Sequence, residues 1–164
     1  MTEEFLPLVR ALVLVAVANS VPMFVGRLFR DRLAAPLDFG LAFFDGRPLL
    51  GASKTIRGLA VALLSTALAA SLLGLGWTVG AGIGAAAMAG DVAASFTKRR
   101  LGLRPHAQAF GLDQVPEALL PLLLYRGALG LEPSGILAVT AAFTVLEVVL
   151  SRILYRLRLR DTPY

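Results

Sequence analysis

The sequence predicts an all-α integral membrane protein of about five transmembrane helices with two polar cytoplasmic loops, the N-terminus outside and the C-terminus cytoplasmic. Three observations predict it. Of the 164 residues 57% are hydrophobic, above the roughly 45–50% of a soluble domain, and mean hydropathy is +0.73. The excess is gathered in long runs, the signature of bilayer spans. The segments Arg27–Arg57, Lys98–Arg104 and Arg152–Arg160 hold all the basic residues except Arg10 and Arg126, and cytoplasmic loops collect Lys and Arg.

A span needs about 20 residues. The first is expected from Phe5 to Phe24, beside Glu3 and Glu4. With no basic segment ahead of it and no clear small-residue cleavage site, it reads as a permanent span rather than a signal peptide. The second is expected from Gly58 to Leu75 and the third from Thr78 to Phe96. The turn Gly74–Thr78 joins them as a tight hairpin, with Trp77 suited to an interfacial position. The fourth, a short one, is expected from Glu117 to Leu131. The turn Leu131–Gly135, punctuated by Pro133 and Gly135, leads to the fifth, Gly135 to Leu154. One domain covering residues 1–164 is the length-based expectation, and no internal repeat is visible.

The net charge of +5 is explained by the positive-inside bias, so no nucleic-acid partner is expected. Nor is a protein partner. The absence of cysteine excludes disulfides and thiolate metal sites.

Chemistry concentrates in the two polar loops. The only two lysines, Lys54 and Lys98, sit one in each. Asp91 lies in the third span, roughly 6–9 Å from its cytoplasmic end at about 1.5 Å per residue, where an intramembrane acid is a functional candidate. Asp91, Ser95 and Lys98, at i, i+4 and i+7, share one helical face. Two readings of Asp91 fit, a site carboxylate or a structural ion pair with a basic neighbour. Asp113 opens the approach to the fourth span. Asp38 and Asp45 lie in the first loop, each open to a bland reading, a helix N-cap for Asp38 and an ordinary turn for Asp45-Gly46. Oxygen-only carboxylates of this kind suit Mg²⁺.

The segment Gly51–Gly58 places Ser53, Lys54, Thr55 and unpaired backbone N–H groups at a helix N-terminus, a favourable anion site. Gly46–Gly51 mimics the start of a P-loop but fails it: Ala52-Ser53 follow where Lys-Ser/Thr belongs, and no strand precedes. Lys98-Arg99-Arg100 reads equally as phosphate-binding or as positive-inside charge. Asn19 and Pro22 either open a polar groove in the first span or kink it. Gly80 and Gly84 form a small-xxx-small packing face. His106 reads as a surface residue, and Arg152, Arg156, Arg158 and Arg160 as contacts to anionic headgroups.

Together these residues resemble the CDP-archaeol synthase family, within the larger CDP-diacylglycerol synthase (phosphatidate cytidylyltransferase) group. The signature Ser-x-x-Lys-Arg, a basic position, then Asp-Arg/Gln is matched by Ser95, Lys98, Arg99, Arg104 and Asp113-Gln114, with Asp91 the acid four before the signature serine. The upstream element is matched by Gly46-Arg47 and Ser53-Lys54-Thr55-Ile56-Arg57-Gly58. The archaeal branch's patterns are matched by Asn19–Pro22, Pro36–Gly40 and Asp45–Pro48.

The resemblance implies a membrane-embedded cytidylyltransferase in the cell membrane, its site facing the cytoplasm. It implies transfer of CMP from CTP to a lipid phosphate, an unsaturated archaetidic acid in the archaeal branch, with release of pyrophosphate. It implies Asp91, Asp113 and Lys98 as catalytic, with Mg²⁺ on Asp91, Asp113 and Asp38. Asp45, Gly46, Arg47, Ser53, Lys54, Thr55, Arg57, Ser95, Arg99 and Arg100 would bind CTP or its phosphates. One departure stands out: where a second signature carboxylate is frequent the chain has Pro116, and either Glu117 substitutes or Asp38 completes the metal site. Two rivals remain, the same chemistry on diacyl phosphatidic acid and a small ion or anion transporter.

Overall fold

A backbone in lipid must satisfy its N–H and C=O groups internally, so long apolar runs fold as helices. The computed structural model describes residues 2–30, 32–103 and 109–156. Six helices follow in order: α1 (Thr2–Phe29), α2 (Ile56–Leu72), α3 (Trp77–Arg100), α4 (Gln114–Leu124), α5 (Arg126–Leu129) and α6 (Pro133–Arg156). Among the described residues there is no strand, only two isolated antiparallel bridges, Pro36 with Thr55 and Ala42 with Pro48.

Among the described residues three helices are long and apolar enough to cross a membrane, Phe5–Phe29 within α1, Trp77–Arg100 and Pro133–Arg156. The α2 helix, with 17 residues, reaches about 25 Å, the lower limit for a crossing of a roughly 30 Å hydrocarbon core. The single fourth span expected over Glu117–Leu131 is instead two helices. Pro121 lies inside α4, the backbone leaves helical geometry at Tyr125, and α5 ends on left-handed Gly130. Pro133 then occupies the first position of α6, where its missing N–H costs nothing.

The α3 helix is central, packed between α2 and α4, while α1 lies against α2, α3 and α6. Its glycines make this possible. A Cβ on Gly80 would fall 2.3 Å from the Thr66 carbonyl oxygen of α2, and one on Gly90 would fall 2.3 Å from the Pro116 carbonyl oxygen of α4. Backbones meet there directly, as at small-residue interfaces in membranes. The apolar core gathers Leu14 and Val15 of α1, Ile83 of α3, Leu122 of α4, and Val139 and Phe143 of α6. Large apolar residues on the outer helix faces, such as Leu64, Leu68, Leu137 and Val145, are exposed, as expected where lipid is the solvent.

The α2–α3 turn uses Gly74 and Gly76 at φ 76° and 81°, conformations a side chain resists. Arg104, His106, Arg158 and Arg160 lie outside the described residues.

Gly80→Ala and Gly90→Ala should each lower the melting temperature in detergent, by a destabilisation of about 1–3 kcal/mol from overpacking. Gly127→Ala, where no atom lies within 4 Å of an added Cβ, should leave it unchanged. Equal melting temperatures for all three variants would refute this packing.

Candidate active site

The first loop is folded, not slack. Asp38 is its staple. One carboxyl oxygen accepts the Gly40 N–H at 3.0 Å; the other accepts the N–H groups of Leu50 at 2.9 Å and Gly51 at 3.1 Å. Burial would raise its carboxyl pKa, but the Leu50, Gly40 and Gly51 amides together outweigh burial and hold it below the ordinary carboxylate value. Asp45 accepts the Arg47 N–H at 3.1 Å in a turn through Gly46 and pairs with the Arg100 guanidinium. Arg47 reaches the other way, its guanidinium donating to the Arg100 carbonyl at 2.5 Å at the C-terminal end of α3. Arg100 also donates to the Pro48 carbonyl at 2.6 Å. The loop and the end of α3 are thus clamped reciprocally.

Beyond the clamp the loop delivers Ser53, Lys54 and Thr55 to the start of α2. Thr55 caps the helix, its hydroxyl oxygen accepting the Gly58 N–H at 3.0 Å. The Ile56 N–H is bonded to the Ala35 carbonyl. Of the backbone donors of Gly51–Gly58, those of Gly51, Lys54, Ile56 and Gly58 are therefore occupied. Side chains and the helix dipole add to any anion attraction here. Arg57 donates to the carbonyls of Arg30 and Arg32, just past the end of α1.

A cavity of about 970 Å³ opens between α1, the first loop, α3, α4 and α6. Lys54 Nζ meets both carboxyl oxygens of Asp91, at 2.6 and 2.5 Å. Lys98 Nζ meets Asp113 at 2.5 Å, and the other Asp113 oxygen accepts the Ala109 N–H at 2.9 Å. All four side chains are largely buried. Each pair joins one loop lysine or helix-end lysine to one carboxylate from a different element.

The cavity wall also carries Asn19, Pro22, Ser53, Thr55, Arg57, Ser95, Arg99, Gln114 and Glu117. Pro22 leaves α1 a continuous helix, and the buried Asn19 Oδ1 has no hydrogen-bond partner. The lining also includes apolar residues of α1, α3 and α6, among them Met23, Met88, Leu146 and Leu150.

Asp38, Asp45, Gly46, Arg47 and Arg100 do not line the cavity. Their polar atoms serve the loop fold and its docking. Among the described residues no three His, Cys, Asp or Glu side chains converge into a ready-made metal cage.

Sequence reasoning missed Glu147, which enters the cavity wall from α6 with Ser151 one turn on. The signal was present. Glu147 is an acid inside an apolar span, the same rule that singled out Asp91. Glu117, weighed earlier only as a substitute for the carboxylate missing at Pro116, is buried in the wall beside these groups.

Comparison with known proteins decides the family. The sequence matches the profile of the CarS-like CDP-archaeol synthase family over residues 8–83 and 75–164. The chain belongs to that family. A CDP-archaeol synthase of Methanopyrus kandleri is 40% identical over 141 residues, covering 79% of each chain. Another, of Pyrobaculum calidifontis, is 33% identical, covering 90% of this chain and 91% of the relative. A solved structure described as an intramembrane enzyme for archaeal membrane lipids biosynthesis superposes with a TM-score of 0.70 at 32% identity, covering 92% and 93% of the two chains.

Asp38→Ala should leave the helices formed but speed hydrogen exchange at the Leu50 and Gly51 amides about tenfold or more, since each loses its acceptor. The sign with pH follows from the lowered carboxyl. Protection is fully present above about pH 4, the unfolded carboxylate value, and is lost as pH falls through the lower folded value. Unchanged exchange in the variant would show that Asp38 does not hold the loop.

Proposed function

We propose that the protein transfers CMP from CTP to an isoprenoid ether lipid phosphate, unsaturated archaetidic acid, giving CDP-archaeol and pyrophosphate. The observation that carries this is the pair of lysine–carboxylate contacts, Lys54–Asp91 and Lys98–Asp113, in one cavity that apolar residues of α1, α3 and α6 also line. Family membership supports the same reading. The relatives' shared name, CDP-archaeol synthase, favours the ether lipid over diacyl phosphatidic acid. The folded cavity at one end of α3 favours an enzyme over a transporter.

The chemistry suits the groups. A phosphate monoester is largely dianionic near neutral pH, its second pKa being about 6, so no strong general base is required. An oxygen of the lipid phosphate forms a bond to the α-phosphorus of CTP while the bond from that phosphorus to the bridging β-phosphate oxygen breaks. Pyrophosphate carries the electron pair away. The obstacle is charge, because two anions must meet. Lys54 and Lys98 are placed to exchange their carboxylates for phosphate oxygens, and Arg57 and Arg99 add positive charge to the same wall. Ser53, Thr55 and Ser95 supply hydroxyl donors.

Asp91 and Asp113, released from their lysines, would hold Mg²⁺, which needs only one or two carboxylates when substrate phosphates complete its shell. That fits a donor set of oxygens without a three-residue cage. When bound, Mg²⁺ would polarise the α-phosphoryl group and neutralise pyrophosphate. Asp38, with both oxygens engaged by the loop backbone, is less suited to it.

The finer topology belongs to this reading. Counting α2 and the α4–α5 unit as short crossings gives five spans, with the basic loops and the cavity on the cytoplasmic side of the cell membrane, where CTP is found. The whole chain then forms one membrane-embedded catalytic domain.

Purified protein in detergent, given labelled CTP, Mg²⁺ and geranylgeranyl ether lipid phosphate, should form CDP-lipid and pyrophosphate, with less product from phosphatidic acid. EDTA should stop the reaction. Asp91→Asn should lower turnover by about 10³-fold or more, the scale of a lost electrostatic group in a phosphoryl-transfer site. Absence of product with either lipid from folded protein, or near wild-type turnover in Asp91→Asn, would overturn the assignment.

A further inference from the structure

The inner hairpin of the first loop presents aromatic rings that the catalytic reading does not use. Phe44, at its tip, is 100% exposed, Phe39 is 77% exposed and Leu41 is 59% exposed. The segment is held in shape by hydrogen bonds from the Phe43 N–H to the Arg47 carbonyl and from the Leu49 N–H to the Leu41 carbonyl, each 2.8 Å. Phe39 sits at φ 51°, a left-handed conformation costly for an aromatic residue. The Asp38 staple on either side of it holds that geometry.

The depth of the hairpin is fixed by α3. The Phe43 ring stands edge-on to Phe96 at 5.3 Å, and to Phe44 at 5.1 Å. Phe96 is the last apolar residue of α3; Thr97-Lys98-Arg99-Arg100 follow. The Arg100 guanidinium lies 4.7 Å over the Phe43 ring. The tip is therefore level with the place where α3 passes from apolar to basic, which marks a membrane–water boundary. Rings with guanidinium groups beside them suit that layer, apolar body inward and cation toward phosphate.

We propose that this hairpin is an interfacial anchor, with Phe44, Phe39 and Leu41 seated at the headgroup–acyl boundary of the bilayer in which the helices stand, beside anionic headgroups. The occupant of the exposed aromatic surface is thus lipid. The contact sets the height of the loop that carries Lys54, independently of which reaction the cavity performs.

The test uses the full chain in vesicles. Trp77, the sole tryptophan, is replaced by phenylalanine, and Phe44→Trp is introduced in that background; Phe39→Trp serves as a second probe. Vesicles contain phosphatidylcholine and phosphatidylglycerol, with or without acyl chains brominated near the glycerol. Both probes should show blue-shifted emission and lose about half their intensity or more to the brominated lipid, with little quenching by aqueous iodide, as expected for interfacial aromatic residues. Emission typical of water together with strong iodide quenching would overturn the proposal. So would blue-shifted emission untouched by bromine, which would place the rings against protein, such as a second copy of the chain.

Discussion

The contact between the Lys54 ammonium and the Asp91 carboxylate is the one on which the rest of the molecule depends. A carboxylate inside an apolar helix is costly unless it is paired, and its partner here comes from a loop 37 residues earlier in the chain. Delivering it requires that the loop be folded before any substrate arrives. That explains why so many polar residues of the loop face away from the cavity. Asp38 gathers three amides, Asp45 and Arg47 meet Arg100 and the end of α3, and Thr55 caps α2. These are supports, and Ser53 and Lys54 are what they hold in place.

The same logic shapes the helices. Because lipid gives no hydrophobic drive for helix to meet helix, the site is brought together by close backbone approach. Gly80 lets α3 meet α2, the helix that begins beside Lys54, and Gly90 lets it meet α4, the helix that follows Asp113. Gly90 precedes Asp91 directly, so a close α3–α4 backbone approach and the carboxylate that meets Lys54 are adjacent. A small residue at that position serves geometry as much as packing.

Much of this was legible in the sequence, and for physical reasons. Apolar runs marked α1, α3 and α6, and helical spacing placed Asp91, Ser95 and Lys98 on one wall. What stayed hidden was tertiary. Spacing does not reveal that Lys54 meets Asp91 and Lys98 meets Asp113, nor that Arg47 and Arg100 are committed to docking the loop. The break at Tyr125 escaped because Leu-rich sequence continues through it. Glu147 was readable and passed over, although it is an acid within an apolar run.

On the proposed function, Lys54 and Asp91 are reaction groups that also pair, rather than a pair kept only for the fold. Replacing both by apolar residues separates these. Breaking one side of a buried pair costs up to about 3–5 kcal/mol, whereas exchanging both for apolar groups is often neutral for stability. The decisive measurement is CDP-lipid formation by the double variant Lys54→Met/Asp91→Leu, with its melting temperature recorded alongside. The expected result is a folded protein, melting near the wild type, with no detectable turnover. Folded double variant that still makes CDP-lipid at a rate near the wild type would contradict it.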